Sequence, residues 1–252
     1  MVTSNFILSA SLPFSRNMKR TFTILTVFLL IGCVGSTDKK KEESKNDNSK
    51  FLEVYEEPMH KLVFEKDELK ILDVQINPRD TTQFHLHRHP LFFVSLGWQK
   101  GADQSPNSNW IVSDAEAWPN GGTASDTSYI TKPLVHRVTN IGSKVSRLIG
   151  ILNLGKGLTS SLDSSEYETS NRWFRSKKIE LKPNDTLLFR KLEFPTIAVF
   201  YLNDKVKIMK DNRVDVLNKN WCLAEDNSKL INSGDSKIEF IQIEVLNNNT
   251  NW

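Results

Sequence analysis

The chain has almost no cysteine: Cys33 and Cys222 are the only two in 252 residues. A disulfide framework is excluded, so the fold must be held by apolar burial, for which roughly 200 residues past the leader suffice. Net charge is also small. Three of the 33 basic residues, Arg16, Lys19 and Arg20, and none of the 30 acidic ones precede Cys33, which leaves 30 of each sign in the remainder. That balance gives no footprint for DNA or RNA. Helical periodicity is scarce past residue 50. There is no glycine-rich phosphate loop and no G-x-S-x-G, and Cys222 has no histidine near it in sequence. Phosphate-loop chemistry and the common serine and cysteine nucleophile arrangements therefore lack support. Histidine is rare as well, with five in the chain, yet three of the five fall in HLHRH at residues 85–89.

The leader differs from the rest. Lys19 and Arg20 precede TFTILTVFLLIG, a 12-residue apolar stretch. It has the length and flanks of a secretory signal and is too short to span a bilayer. It ends in Leu30-Ile31-Gly32-Cys33. That ending resembles the bacterial lipobox, in which a peptidase cuts before a cysteine that is then acylated. The alternative is an ordinary secretory signal beside a chance cysteine. The resemblance implies a lipidated Cys33 and a protein of the cell envelope, anchored to a bacterial membrane and facing periplasm or exterior. Acyl chains anchor because each buried methylene contributes about 0.8 kcal/mol. Cys222 would then have no disulfide partner. Residues 34–50, VGSTDKKKEESKNDNSK, hold no large apolar residue after Val34 and read as a solvated tether.

Past residue 50 the chain is a series of short β-rich runs bounded by Gly, Pro, Asn and Asp: KLVFE, LKILDVQI, LFFVSLG, SRLIGILNL, TIAVFYL and KIEFIQIEV. Such spacing predicts an all-β sandwich or barrel. The chain also repeats itself. LDVQINPRDTTQFHLHRHPLFFVSL sets beside KKIELKPNDTLLFRKLEFPTIAVFYL without a gap, matching Pro78 with Pro183, Asp80 with Asp185, Phe84 with Phe189 and Pro90 with Pro195. TNIGSKVSRLIGILNL sets beside INSGDSKIEFIQIEVL, matching Asn140 with Asn232 and Gly142 with Gly234. Two equivalent β-domains in tandem are expected.

The histidines are not repeated. Arg190, Leu192 and Phe194 stand opposite His85, His87 and His89, and Ser228 stands opposite His136. A residue type that folding required would recur in both copies, so these histidines read as functional. On a strand alternate side chains share a face, so His85 and His87 are expected to point together into the first barrel. Two buried imidazoles are costly unless something satisfies their nitrogens, and a metal ion does so. His136, in KPLVHRVTNIG, would supply a third nitrogen from a strand returning beside the first. The other reading is a surface cluster, or polar filling in a barrel that has lost its metal.

These residues resemble the two motifs of the cupin superfamily, G-x5-H-x-H-x3,4-E-x6-G and G-x5-P-x-G-x2-H-x3-N. The chain matches the first with HLH at 85–87 and Gly97, and the second with HRVTN from His136 to Asn140. The resemblance implies two tandem cupin-type jelly-roll barrels, with His85, His87 and His136 as metal ligands and Asn140 in a structural role. Three departures stand out. No acidic residue falls near Pro90–Phe92, where the motif has glutamate. Asp80 stands where a glycine is common, and the P-x-G before the second histidine is missing. Without that glutamate a divalent ion keeps its full charge and should favour anionic ligands. Three imidazoles with open positions suit Fe, Ni, Zn or Cu.

The expected organisation is a signal at 1–32, a tether at 33–50, a histidine-bearing domain at 51–157, a linker at 158–172 and a degenerate domain at 173–252. His60 is expected at a strand start away from the site, and His89 beside the turn at Pro90. Arg137, alternating with His136, should point outward. Residues 99–129 read as a long polar insertion whose Trp110 and Trp118, with Trp98 before it, are core or loop anchors, the alternative being that they stack on a sugar or aromatic ligand. Two functions follow: a metal-dependent small-molecule oxygenase or isomerase, or a non-catalytic ligand-binding module. The expected partners are a membrane through the lipid, an unidentified small molecule and a second copy of the chain, with no nucleic acid.

Overall fold

A computed structural model describes residues 50–113, 117–159, 162, 164–202, 205–211 and 213–247. All of these fall in one compact unit, Asn46–Trp252. The leader, Cys33 and the tether before residue 50 lie outside the described residues.

The strands form two sets. The first comprises β1 (Leu52–Glu53), β2 (His60–Lys66), β3 (Leu69–Ile76), β4 (His85–His87), β5 (Leu91–Ser95), β6 (Trp98–Gln99) and β7 (Gly101–Gln104). It continues with β8 (Ile111–Val112), β9 (Ala117–Trp118), β10 (Thr123–Asp126), β11 (Leu134–Asn140) and β12 (Ser146–Asn153). The second comprises β13 (Thr169–Ser170), β14 (Phe174–Leu181), β15 (Thr186–Leu188), β16 (Thr196–Leu202) and β17 (Val206–Lys210). It ends with β18 (Arg213–Val216), β19 (Trp221–Ala224), β20 (Lys229–Asn232) and β21 (Ile238–Val245). Among the described residues there is no α-helix.

Each set builds two large sheets, and in the first β6 and β9 form a small third one. In the first, β10-β5-β12-β3-β2 faces β1-β4-β11-β7-β8; in the second, β13-β14-β21-β16-β19 faces β15-β20-β17-β18. Apart from the added edge strands β1, β2 and β13, the neighbour order is the same. The long first and last strands lie side by side, β3 against β12 and β14 against β21. This is the eight-stranded jelly roll, in which the chain passes between two antiparallel sheets. The protein is all-β, with two jelly-roll barrels in tandem.

The sequence repeat is a repeat of structure. Asn140 Nδ2 donates to the Ile76 and Lys144 carbonyls at 2.9 and 2.8 Å, and its Oδ1 accepts from Gly142 N–H. Asn232 does the same with Leu181, Ser236 and Gly234 at 3.0, 2.8 and 3.0 Å. In both copies one side chain ties the last turn to the end of the first long strand, satisfying backbone groups that would otherwise be orphaned. Residues 99–129 depart from expectation. They are no simple insertion, for β7 to β10 lie there and complete both sheets. Their polar, outward alternates (GADQ, TASD) mask the strand pattern.

The two barrels share a core. Leu69, Ile71, Phe92, Val94, Ile149 and Ile151 point out of the first barrel and pack on Phe174, Ile197, Val199, Trp221, Ile241 and Ile243 of the second. Leu72, Val74, Ile76, Leu91, Leu148 and Leu152 from the same strands point inward. Strands buried on both faces read as near-continuous apolar runs, which is why SRLIGILN, TIAVFYL and IEFIQIEV lack alternation. Gly121, at φ +74, lies against the second set as well: a Cβ there would fall 2.5 Å from Tyr201 Cζ.

Candidate metal centre

The histidine cluster sits inside the first barrel. β4 and β11 are antiparallel, and His85 is directly opposite His136. Cross-strand partners share a face, and His87, two residues on from His85, shares it too. One nitrogen from each of the three lies within 4.8 Å of the others. Ring centroids are 4.8 Å apart for His85–His136 and His87–His136, and 5.0 Å for His85–His87. His85 is 0 % and His87 4 % exposed.

Hydrogen bonds fix the tautomers. His85 Nδ1 is 2.9 Å from the Gln83 carbonyl. A carbonyl only accepts, so Nδ1 carries the proton and Nε2 the lone pair. That Nε2 is buried without a partner. His136 Nδ1 is 2.9 Å from Asp103 Oδ1, which again leaves the lone pair on Nε2. His136 Nε2 lies 3.0 Å from His87 Nε2. Two nitrogens each about 2.0–2.1 Å from one zinc-like ion lie about 2.9–3.4 Å apart at the usual angles, so this spacing suits a shared ion. His87 Nδ1 is also buried without a partner. Burial holds the His85 imidazole down to about 2, and His87 well below its ordinary value, with neighbouring histidines adding to both shifts. Both are neutral at physiological pH, the state that binds metal. Asp103, from β7, orients His136 as a carboxylate outside the ligand set commonly does.

The cavity around the cluster has a volume of 210 Å³. Leu72, Val74, Leu91, Phe93, Val138 and Leu148 form most of its wall, and Trp98, Trp118 and Tyr129 contribute aromatic faces. Trp98 and Trp118 pair across β6 and β9. They line the cavity, where they are placed to stack on a ligand rather than only to anchor a loop. Trp110 sits outside, 5.0 Å from the Arg137 guanidinium, which also stacks at 4.8 Å on Phe84. Arg137 thus points outward as its alternation predicts. His89 is not part of the cluster.

Sequence reasoning missed two residues. Asp103 lay in the supposed insertion. His60 was expected away from the site, yet its ring is 4.6 Å from that of His85 and it lines the cavity. Burial pushes His60 down to about 4.

In the second barrel the corresponding interior is filled by apolar side chains. Phe200 and Phe240 meet at 5.0 Å, and Leu192, opposite His87 in the repeat, packs with Phe189 and Leu230 on the same core. Cys222 is buried there, its thiol raised to about 12 by burial, so it is inert.

No protein-family model and no curated protein matches the chain. Solved structures similar to it include proteins described as cupins. AerE from Microcystis aeruginosa is 16% identical over 73% of this chain and 90% of its own, with TM-score 0.49. A Cupin 2 conserved barrel domain protein from Leptotrichia buccalis is 9% identical over 73% and 86%, with TM-score 0.46. Oxalate decarboxylase from Bacillus subtilis, described with Mn(II) centers, is 8% identical over 73% and 70%, with TM-score 0.46. At such identities the likeness is one of fold, and the chemistry rests on the side chains above.

Proposed function

We propose that this chain is a cell-envelope lipoprotein of the cupin superfamily that binds one divalent transition metal through His85, His87 and His136, as a small-molecule oxygenase or isomerase. The metal-bearing domain would be 51–157 and the degenerate one 173–252, with the lipid on Cys33. The observation that carries the metal reading is His85 Nε2: a lone pair, fully buried, with no partner, beside two further Nε2 atoms. An unsatisfied buried nitrogen costs about 1–3 kcal/mol, and one ion of Fe, Ni, Zn or Cu held with the other two Nε2 atoms would relieve it.

When bound, such an ion supplies Lewis-acid or redox chemistry at its open positions. The chain's own residues do the rest. Gln83 and Asp103 hold His85 and His136 in the ligating tautomer. Leu72, Val74, Phe93 and Leu148 exclude water, so charges within the cavity interact strongly. With three neutral ligands an ion keeps its full charge, which favours an anionic ligand. One observation favours the binding-module reading instead: Asp103 is the only carboxylate among the lining residues, and it is engaged by His136. Among the described residues no free carboxylate is left there as a general base.

The test is elemental analysis of the untagged protein beside a His85→Ala/His87→Ala variant. Near one equivalent of a transition metal, lost in the variant, is the expected result. No metal in either after reconstitution would overturn the metal reading.

A further inference from the structure

A further buried histidine, His60, belongs to neither histidine motif. It enters the cavity from β2, where it pairs with Val74 of β3, and it is 7 % exposed. Its Nδ1 lies 2.9 Å from the Val54 carbonyl. The carbonyl can only accept, so Nδ1 carries the proton and Nε2 is a lone pair. The nearest charged group to that lone pair is Glu57 Oε2 at 3.9 Å, itself an acceptor. Both Glu57 oxygens already receive backbone N–H groups, from Met59 at 2.6 Å and Gln83 at 3.1 Å. Among the described residues the side-chain hydrogen bond of His60 is the one at Nδ1, and Nε2 belongs to a ring that lines the cavity. The ring stands 4.6 Å from His85, yet His60 is not one of the three residues whose nitrogens converge. It borders the metal position without being a ligand.

An acceptor set in a largely apolar wall calls for a donor on whatever fills the cavity. The donor must sit close to the ion, because His60 touches His85. It is not an ammonium group, which the ion's positive charge would repel. A hydroxyl meets both conditions. Beyond the histidines, Asp103, which is engaged by His136, and Ser113, the wall is mainly aliphatic and aromatic. A cavity of about 150 Å³ takes benzene, so 210 Å³ accommodates a body of phenyl size with a short polar head.

Resting on the metal reading above, we propose that His60 is a specificity-determining residue whose Nε2 accepts a hydrogen bond from a ligand hydroxyl. The ligand class is a small acid with an apolar or aryl body and a hydroxyl next to its carboxylate. The carboxylate faces the ion, the hydroxyl faces His60, and the body lies against Leu72, Val74, Phe93 and Leu148.

The test uses the full chain in detergent, loaded with cobalt(II), and compares mandelate with phenylacetate by calorimetry. The two acids differ only in the hydroxyl. His60→Phe keeps an aromatic ring without the lone pair, and His60→Gln restores an acceptor. Wild type is expected to bind one equivalent of cobalt and to prefer mandelate about tenfold, since a site built around a hydroxyl leaves an unpaired group with the analogue that lacks it. His60→Phe should keep its cobalt and lose the preference, and His60→Gln should recover part of it. One equivalent of cobalt with no preference in wild type, or a preference that survives His60→Phe, overturns the hydroxyl assignment alone. Cobalt bound with neither acid binding overturns the ligand class. No cobalt bound overturns the metal reading, and this proposal with it.

Discussion

Replacing His85 by leucine should change stability in opposite directions with and without metal. In metal-free protein the His85 Nε2 is buried and unpartnered, a cost of about 1–3 kcal/mol. Leucine removes that nitrogen and keeps an apolar side chain of similar bulk. It also removes the bond from Nδ1–H to the Gln83 carbonyl, worth about 1 kcal/mol. His85→Leu is therefore expected to be as stable as wild type in chelator, or up to about 2 kcal/mol more stable. With metal at a hundred times its Kd, wild type gains about 2.7 kcal/mol, and the variant, short of one ligand, gains far less. At about 2–4 °C per kcal/mol for a chain of this size, the net gap of about 0.7–2.7 kcal/mol should make wild type melt about 1–11 °C above the variant in metal. Thermal unfolding followed by circular dichroism, in EDTA and in excess zinc or nickel, reads both arms. A wild-type melting temperature indifferent to metal, or an equal loss for the variant in both buffers, would refute the reasoning.

Three further outcomes follow from the fold. Asn140→Ala and Asn232→Ala each lose three hydrogen bonds from a buried side chain and should each cost about 2–4 kcal/mol in denaturant unfolding; retained metal in Asn232→Ala would separate that cost from the site. A chain ending at residue 172 uncovers Leu69, Ile71, Phe92, Val94, Ile149 and Ile151 and should aggregate, which equal solubility and an equal melting temperature would contradict. Glu239 is held down to about 2 by hydrogen bonds from Lys178 and Lys237, with Tyr201 adding to them. A carboxylate depressed in the folded state stabilises above its unfolded value near 4.5, and that stability is lost as pH falls toward 2. Glu239→Gln should melt lower than wild type at pH 7, with the gap closing between pH 4.5 and 2; a gap that stays constant would show that the charge is not the cause.

Much of the fold was legible because the apolar runs are long. LKILDVQI, SRLIGILNL, TIAVFYL and KIEFIQIEV all became central strands. The weak strands around Gly101 and Thr123 were not, since their alternates are small or polar and carry little β signal. The three clustered histidines were legible by contrast with their repeat, whose aligned residues are Arg190, Leu192 and Ser228. Their convergence needed one further step, the pairing of β4 with β11.

What the sequence determined by itself is the architecture and the identity of the three clustered imidazoles. A two-residue period, two copies of one pattern and histidines in only one of them are local facts. What only the tertiary structure decided is the rest of the cavity, and His60 gives the physical reason. Lys66 pairs with Leu69 beside the turn, so regular pairing would set His60 opposite the half-exposed Gln75. A register shift between Leu62 and Phe64 sets it opposite Val74 instead. One extra residue in a strand turns every side chain beyond it to the other face. That irregularity carries no mark in the letters, and it moves His60 from the surface into the cavity beside His85.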